Sequence, residues 1–322
     1  MERKKVLVAY SLPEEDLCDL REEFDVTRWQ RGAMPYDEVL AAIPEYDGVL
    51  AAGIRVDREI ISRAGKLKAI CVYGAGYDNV DIKAATEHGI VVANIPDTVT
   101  ESTAELAIGL MLAVMRRITE CDRKLRQEAK SAWGMYRNMG YNLYGKELGI
   151  IGMGRIGKAT ARRAAALGMR ISYYNRRRLE PADEAQLGAA YKPLDELLET
   201  ANVVSIHTPL SDETYHLIGE RELSLMKPEA FIINTSRGAV MDEKALAARL
   251  CDGALAGAGL DVFEWEPRIT PELLTFDNVV LTPHIGTNTH ETRSLMNREA
   301  CRALIDLLDG RRTANVINPE VL

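Results

Sequence analysis

The sequence predicts an α/β protein of two domains, each built on a doubly wound parallel sheet. Short apolar runs of the β type alternate with helical patterns along the chain, which is typical of βαβ units. The chain has 322 residues, which exceeds the size at which a single hydrophobic core usually stops growing. We therefore expect two domains, and the elements can be assigned in order.

The first series of elements covers about the first hundred residues. Strands are predicted at Val6–Ala9, Gly48–Ala51, Ala69–Val72 and Val91–Ala93, and helices near Glu14–Glu23, Tyr36–Ala42, Arg58–Ala64 and Asp81–His88. A long helix is then predicted from about Glu101 to Arg126, with Thr100 or Ser102 as its N-cap.

A second series follows an irregular aromatic stretch, Trp133 to Tyr144. Its strands are predicted near Leu148–Ile151, Arg170–Tyr174, Val203–His207, Phe231–Thr235, Ala258–Phe263 and Val279–Thr282. A final helix is predicted from about Thr292 to Asp309, with Gly310 as its stop signal.

Composition narrows the class of protein. A net charge of −8 and a pI near 5.4 argue against a nucleic-acid surface, which is normally basic. The apolar run after the charged start is too short for a signal peptide, and the longest apolar stretch, Leu106 to Met115, is too short to span a membrane. The cysteines lie far apart without C-x-x-C or zinc spacing, so we expect no metal site and a reducing cytoplasmic location; they are Cys18, Cys71, Cys121, Cys251 and Cys301.

A glycine-rich motif lies between a predicted strand and an alanine-rich helix. Gly152, Gly154 and Gly157 form G-x-G-x-x-G, with Arg155 and Ile156 between the last two glycines. In this context the motif predicts a dinucleotide site, with the pyrophosphate at the N-terminus of the helix. An ordinary strand-to-helix turn is the alternative.

The residue that would face the adenosine ribose lies about 20 positions further on. This chain has Asn175 there, followed by Arg176, Arg177 and Arg178, where NAD-binding units usually carry a carboxylate. Asparagine beside arginines can accept a 2′-phosphate, so NADP(H) is favoured and NAD(H) remains possible. A solvated charge run is the alternative.

Three predicted strands of the second series are followed by polar groups suited to catalysis. Arg237, Glu266 and His284 should converge, because successive strands of a parallel sheet share one carboxyl edge. Arginine can bind a carboxylate in a fork, and a histidine held by a glutamate can pass a proton. This set suits reduction of a 2-oxo acid. A structural histidine and surface charges are the alternatives.

The loop after the third predicted strand offers a second anion site. Tyr73, Gly74, Ala75 and Gly76 follow the run Ala69–Val72. Backbone N–H groups in such a loop can bind an anion, although a plain turn is the alternative.

Ordered motifs along nearly the whole chain resemble those of the D-isomer-specific 2-hydroxyacid dehydrogenases. They are Gly74–Asp81, Asn94–Pro96, Gly152–Gly157, Asn234–Gly238, Asp261–Pro267 and Thr282–Gly286. The resemblance implies two Rossmann-like domains: a flavodoxin-like substrate-binding domain of residues 1–99 and 288–322, and a dinucleotide-binding domain of residues 100–287. It also implies a homodimer.

The resemblance assigns roles to individual residues. It implies that Arg237, Glu266 and His284 are catalytic, and that amides of the loop at Gly74–Gly76 hold the substrate carboxylate. It further implies that Asp261 bonds the nicotinamide carboxamide. The remaining residues implied to contact the cofactor are Thr208 and Pro209 beneath the adenosine, and Thr235 and Ser236 at the nicotinamide.

Trp133 is similar in position to a tryptophan that glyoxylate and hydroxypyruvate reductases extend into the partner subunit's active site. A core tryptophan is the alternative. His216, in a Thr-x-His-Leu-Ile stretch, is interpreted as a packing residue.

Departures from related enzymes narrow the substrate. Ala75 stands where phosphite dehydrogenases have lysine, and Glu266 stands where formate dehydrogenases have glutamine. Phosphoglycerate dehydrogenases carry arginines near the loop that here reads Ala51-Ala52-Gly53, so a small unphosphorylated 2-oxo acid is expected. The run Asn175–Arg177 resembles that of NADPH-preferring glyoxylate and hydroxypyruvate reductases, which favours a substrate of that type. Reduction of D-lactate-type, branched 2-oxo acid and 2-ketogluconate substrates remains open. A different class of function also remains open, a dinucleotide-sensing protein similar to transcriptional corepressors.

Overall fold

The computed structural model describes residues 3–130 and 133–322. The chain divides into two compact units. Unit 1 comprises Met1–Val99 and Asn288–Leu322, and unit 2 comprises Thr100–Thr287. Each unit contains one parallel sheet.

The elements follow in chain order. The strands are β1 (Lys5–Val8), β2 (Asp25–Arg28), β3 (Gly48–Ala51), β4 (Ala69–Val72), β5 (Val91–Asn94), β6 (Glu147–Ile151), β7 (Arg170–Tyr174), β8 (Ala189–Tyr191), β9 (Val203–Ile206), β10 (Phe231–Asn234), β11 (Gly257–Leu260) and β12 (Val279–Leu281). The α-helices are α1 (Cys18–Glu23), α2 (Tyr36–Ala42), α3 (Arg58–Arg63), α4 (Ile82–Glu87), α5 (Thr100–Met115), α6 (Ile118–Glu128), α7 (Arg155–Ala166), α8 (Pro181–Leu187), α9 (Leu194–Thr200), α10 (Glu220–Leu225), α11 (Glu243–Cys251) and α12 (His290–Leu308). Short 3-10 helices lie at Glu14–Leu17, Ile43–Glu45, Gly238–Val240, Pro271–Thr275 and Pro319–Val321.

The sheet of unit 1 has the strand order β2-β1-β3-β4-β5, with every neighbouring pair parallel. This is the flavodoxin-like order. Every residue of β3 and β4 is buried, as expected for strands covered on both faces. Helix α12 packs on this sheet, and Leu304 and Leu308 fill the space left by Gly48, where an added Cβ would lie 2.8 Å from Leu308 Cδ1.

The sheet of unit 2 has the order β12-β11-β10-β9-β6-β7-β8, again with all pairs parallel. The chain starts at β6, proceeds outward through β7 and β8, and then returns to β9 on the other side of β6. The order therefore reverses between β6 and β9, and the carboxyl edge at such a switch point is where doubly wound sheets bind ligands. The predicted fold class, two parallel-sheet α/β domains, is confirmed.

The prediction of one helix from Glu101 to Arg126 is wrong. The structure has two helices, α5 and α6, separated at Arg117, which adopts a left-handed conformation with φ 56°. The carbonyl of Met115 accepts a hydrogen bond from the N–H of Tyr141 at 2.8 Å. An added Cβ at Gly140 would lie 2.3 Å from the same carbonyl, so only glycine lets this segment approach the end of α5.

Other differences are smaller. The outer strands β2 and β8 were not predicted, and β11 ends at Leu260 instead of Phe263. The segment predicted as a helix from Glu14 to Glu23 is a 3-10 turn followed by α1. Gly310 follows α12 with φ 73°, which confirms the predicted stop. Throughout the described residues, each helix is too short or too polar to cross a membrane.

Candidate active site

The glycine motif forms the turn between β6 and α7. Gly152 has φ 97°, and an added Cβ would lie 2.7 Å from the carbonyl group of His207. An added Cβ at Gly157 would lie 2.3 Å from the carbonyl oxygen of Gly152, so both positions require glycine. At Gly154 an added Cβ would meet no atom within 4 Å. The first and third glycines therefore pack the turn, and the second leaves open space beside its backbone.

This edge of the sheet fits a polar ligand such as a dinucleotide. Gly154 is the N-cap of α7 and provides no side-chain cap, so the first N–H groups of the helix keep their capacity to bind an anion. Just beyond β9 and β10, the buried hydroxyl oxygens of Thr208 and Thr235 have no hydrogen-bond partner within the described residues. Buried polar atoms are normally paired, so these two are consistent with a ligand that pairs them.

His207 contributes a third buried polar atom at the same edge. Its Nε2 lies 2.9 Å from Ser205 Oγ, whereas Nδ1 is buried and has no partner among the residues described. Burial lowers the pKa of His207 to about 4, so the ring is neutral at physiological pH. A neutral ring suits a structural or ligand-facing role, and it does not suit donation of a proton.

Asn175 lies directly after β7 and supports the glycine turn. Its Oδ1 accepts a hydrogen bond from the N–H of Met153 at 2.7 Å. Arg178 is bound in a two-point ion pair with Glu184, at 2.8 and 2.9 Å. Arg176 and Arg177 are exposed, and within the described part of the chain neither forms an ion pair. The three arginines thus differ: Arg178 is paired with Glu184, whereas Arg176 and Arg177 have no carboxylate within ion-pair distance in the described residues.

The loop after β10 is organised by a buried asparagine. Asn234 accepts hydrogen bonds from the N–H and hydroxyl of Ser236, at 3.0 and 2.8 Å, and donates to the carbonyl of Arg237 at 2.9 Å. The guanidinium of Arg237 also donates to the carbonyl of Ser236 at 2.9 Å. Sequence reasoning placed Asn234 in a motif but gave it no role; a fully buried amide at the end of a strand is the signal for one.

Glu266 and His284 lie in the loops after β11 and β12 and form a hydrogen bond. Glu266 Oε2 lies 3.0 Å from His284 Nδ1, and Glu266 Oε1 accepts from the N–H of Phe263 at 3.0 Å. Burial alone would raise the pKa of Glu266, but the bonds from His284 and Phe263, with the charges of His284 and Arg237, bring it below its usual value. The carboxylate is therefore ionised at neutral pH.

Asp261 holds the loop that carries His284. Its buried carboxylate accepts hydrogen bonds from the hydroxyl of Thr282 at 2.6 Å and from the N–H groups of Ile285 and Gly286 at 2.8 and 2.9 Å. Burial raises the pKa of Asp261, against the lowering effect of these bonds. His284 itself has φ 53°, and its N–H donates to the carbonyl of Asp261 at 2.8 Å. The contact of Asp261 with the nicotinamide carboxamide stays a prediction.

In unit 1, the loop after β4 is fixed through its carbonyls. The carbonyl of Gly74 accepts from the N–H of Ile95 at 3.0 Å, and that of Ala75 accepts from the side chain of Asn94 at 2.7 Å. The hydroxyl of Tyr73 donates to Asn297. The N–H groups of Ala75 and Gly76 have no acceptor within residues 3–130 and 133–322. Two adjacent free donors on a fixed loop are suited to a carboxylate.

Trp133 lies in the irregular stretch after α6, and its side chain is 84% exposed. The alternative of a core tryptophan is therefore wrong for this chain. No cluster of three or more potential metal ligands occurs in the described portion.

Known proteins resemble this chain over nearly its whole length. The family described as "D-isomer specific 2-hydroxyacid dehydrogenase, NAD binding domain" matches residues 108–286. The glyoxylate reductase of Thermococcus litoralis is 44% identical over 99% of this chain and 98% of its own length. A solved glyoxylate reductase from Paecilomyes thermophila superposes with a TM-score of 0.90 at 36% identity, covering 99% of both chains. An NADPH-dependent glyoxylate/hydroxypyruvate reductase from Sinorhizobium meliloti, solved with NADP and malonate, has a TM-score of 0.88 at 32% identity and covers 98% of this chain and 97% of its own.

Proposed function

Because this chain belongs to the D-isomer specific 2-hydroxyacid dehydrogenase family, we propose that it reduces a glyoxylate-type 2-oxo acid to the D-2-hydroxy acid with a nicotinamide dinucleotide. The observation that carries the proposal is the hydrogen bond between His284 and Glu266, in a unit that also carries Arg237 and the glycine turn. Relatives named as glyoxylate reductases match nearly the full length of the chain, which supports this substrate class.

We assign to His284 the donation of the proton that the carbonyl oxygen of the substrate receives. Since Nδ1 of the ring is bonded to Glu266, Nε2 is the nitrogen that can donate to the carbonyl oxygen of the substrate. The ionised carboxylate of Glu266 orients the ring through the bond to Nδ1. When bound, the dinucleotide supplies the hydride. In the direction of oxidation, His284 takes the proton back from the hydroxyl group.

The substrate carboxylate needs cationic or N–H donors. We assign binding of the substrate carboxylate to the free N–H groups of Ala75 and Gly76, in the loop that begins at Tyr73 and Gly74. We also assign it to the guanidinium of Arg237. Arg237 also polarises the carbonyl group that is reduced. Substrate-binding residues are thus proposed in both units, and the dinucleotide-binding residues in unit 2 alone.

For the dinucleotide, we assign the pyrophosphate to Gly152, Gly154 and Gly157 and to the N–H groups of Arg155 and Ile156 at the start of α7. Thr208 and Pro209 would line the adenosine side. Thr235 and Ser236 would line the nicotinamide side, with Asp261 at the carboxamide. The unpaired hydroxyls of Thr208 and Thr235 support this placement.

NADPH is the proposed physiological reductant, because Arg176 and Arg177 can bind a 2′-phosphate beside Asn175. Charge-assisted hydrogen bonds contribute roughly 1.5–3 kcal/mol each, or about tenfold or more in affinity. Arg176→Ala and Arg177→Ala should therefore raise KM for NADPH about tenfold each and leave KM for NADH unchanged. Arg178→Ala is the matched control, since that side chain is committed to Glu184. Equal effects on both cofactors would contradict the NADPH assignment.

The decisive experiment is a panel of 2-oxo acids assayed with both NADPH and NADH, with the chirality of the product determined. Fastest turnover of glyoxylate or hydroxypyruvate with NADPH, and a D-product from the latter, is the expected result. Preference for pyruvate would instead identify a D-lactate-type enzyme, and preference for 2-ketogluconate would identify a 2-ketogluconate reductase. A protein that binds NADPH and reduces nothing in the panel would be a dinucleotide-sensing binding protein.

A homodimer is proposed through the segment around Trp133. Large apolar side chains between 44% and 84% exposed are concentrated here: Ile118, Leu125, Trp133, Met135, Tyr136, Met139, Tyr141 and Tyr144. Exposed apolar groups at this density mark an interface. Tyr136→Glu together with Met139→Glu should give a monomer in sedimentation experiments, and a dimer that persists would contradict the assignment. We also propose that Trp133 reaches into the active site of the partner subunit. A cytoplasmic location is likewise a proposal.

A further inference from the structure

The segment that carries Glu266 contains a second, buried glutamate. Glu264 lies two residues before Glu266, and its side chain is only 6% exposed. One carboxylate oxygen of Glu264 lies 2.8 Å from Nε2 of His216, the only hydrogen-bond partner of that carboxylate in the described residues. A buried carboxylate is costly unless it is paired, so this contact needs an explanation.

His216 is held firmly by its backbone and by its neighbours. Its φ of 48° is unusual for a residue with a side chain, and its N–H donates to the carbonyl of Ala239 at 2.9 Å. The ring stacks on Tyr215 with a centroid distance of 4.1 Å, and Nδ1 lies 3.9 Å from Asp242. The imidazole is therefore a fixed point to which Glu264 is attached.

The same segment is held at its backbone. The N–H of Glu264 donates to Glu243 Oε1 at 2.6 Å, and Glu243 is buried and also accepts from the hydroxyl of Thr270. On the other side, Gly238 packs so closely that an added Cβ would lie 1.8 Å from the carbonyl carbon of Phe263. These contacts fix the peptide units immediately before Glu266.

We propose that His216 and Glu264 form a positioning pair, which fixes the segment that directs Glu266 toward His284. His216 holds Glu264, and the backbone between Glu264 and Glu266 transmits this constraint to the bond between Glu266 and His284. The pair touches neither substrate nor reacting atoms and acts through Glu266. This proposal rests on the proposed function, because it assigns Glu266 to the reaction.

The test compares variants of the whole protein that differ in their hydrogen bond to Glu264. His216→Ala removes the donor, and His216→Gln keeps an N–H donor on a side chain of similar reach. Both replacements meet the same left-handed backbone, so the strain at this position is matched. We expect kcat to fall at least tenfold in His216→Ala and to stay within about threefold of wild type in His216→Gln. The dissociation constant of NADPH, measured by fluorescence, should not change in either.

A double-mutant cycle separates positioning from general damage. If His216 acts through Glu266, then adding His216→Ala to a Glu266→Gln protein should lower kcat little further. Independent structural damage would instead lower kcat by the product of the two single effects. Additive losses, or loss of NADPH binding in parallel with kcat, would overturn the proposal. Should His216→Ala fail to fold, Glu264→Ala in its place provides the same cycle, because it removes the acceptor of the same hydrogen bond.

A spectroscopic signal makes the test independent of turnover. The chain has five histidines, so the ring nitrogens of His284 can be assigned in a protein labelled with ¹⁵N-histidine. The shift of His284 Nδ1 should change in His216→Ala and return in His216→Gln. An unchanged shift would overturn the positioning role even in an active enzyme. A wild-type protein that reduces no 2-oxo acid would overturn the proposed function, while the shift would still decide the pairing.

Discussion

Replacement of Gly238 by alanine directly tests the geometry around Arg237 and Glu266, which we propose to be catalytic. Gly238 follows Arg237, and an added Cβ would lie 1.8 Å from the carbonyl carbon of Phe263 and 2.2 Å from the nitrogen of Glu264. Carbon atoms in contact lie roughly 3.5 Å apart, so something must move by about 1.7 Å. All the nearest atoms are backbone, so no flexible side chain can absorb this displacement.

The displacement separates the loop of Arg237 from the segment of Glu266. A misplacement of about 1 Å in a catalytic site can cost about a hundredfold in rate, so kcat of Gly238→Ala should fall by about that factor or more. Binding of NADPH should persist, because the glycine turn at Gly152–Gly157 does not contact Gly238. Initial rates with glyoxylate, a fluorescence titration of NADPH and a thermal melt measure the three quantities.

Two other glycines provide controls. Gly109 is an exposed residue inside α5 with no atom near its added Cβ, so Gly109→Ala should leave kcat unchanged and stabilise the helix by about 0.5–1 kcal/mol. Gly157→Ala should show the opposite pattern to Gly238→Ala, with loss of NADPH binding as the primary defect. A Gly238→Ala protein with wild-type kcat and melting temperature would refute the reasoning.

Three further predictions follow from charges and burial. Pairing with Arg117 and Lys124 lowers the pKa of the buried Glu120 to about 2, so its stabilisation is complete above about pH 4.5 and is lost as the pH falls toward 2. Glu120→Gln should cost between about 1 and 3 kcal/mol at pH 7 in urea unfolding and nothing below pH 2. Burial raises the thiol pKa of Cys71 and Cys301 to about 12 from 9.0, so at pH 8 both should react about a thousandfold more slowly with a thiol reagent than the exposed Cys18. Arg237→Lys keeps a positive charge but loses the planar guanidinium that can bind a carboxylate at two points. The kcat/KM for the oxo acid should therefore fall about a hundredfold, with unchanged affinity for NADPH.

The sequence was sufficient for the parallel sheets and for the edge at which the site lies. Buried strands such as β3 and β4 are continuous apolar runs, and crossover connections give the strands of a parallel sheet one shared carboxyl edge. That rule also placed the loops of Glu266 and His284 side by side. The structure shows the hydrogen bond between them, while their catalytic roles, like those of the other assigned residues, stay predictions.

Features decided by long-range contacts could not be predicted. Arg117 breaks a helix without glycine or proline, because a segment more than 20 residues later binds the end of α5. The edge strands β2 and β8 are short and partly exposed, so they lack the apolar run that identifies the central strands. His216 was interpreted as a packing residue because its partner, Glu264, lies 48 positions away.

The two glutamates of the segment Phe263–Glu266 differ in how far their side chains are exposed to solvent. Along the segment from Phe263 to Glu266, Glu264 is 6% exposed, whereas the side chain of Glu266 is 38% exposed and that of its partner His284 is 49% exposed. The buried Glu264 is paired with His216, and the more exposed Glu266 is paired with His284, to which we assign the proton transfer. We therefore expect the two neighbouring glutamates to have separate tasks: the buried Glu264 fixes the backbone, and the more exposed Glu266 orients His284.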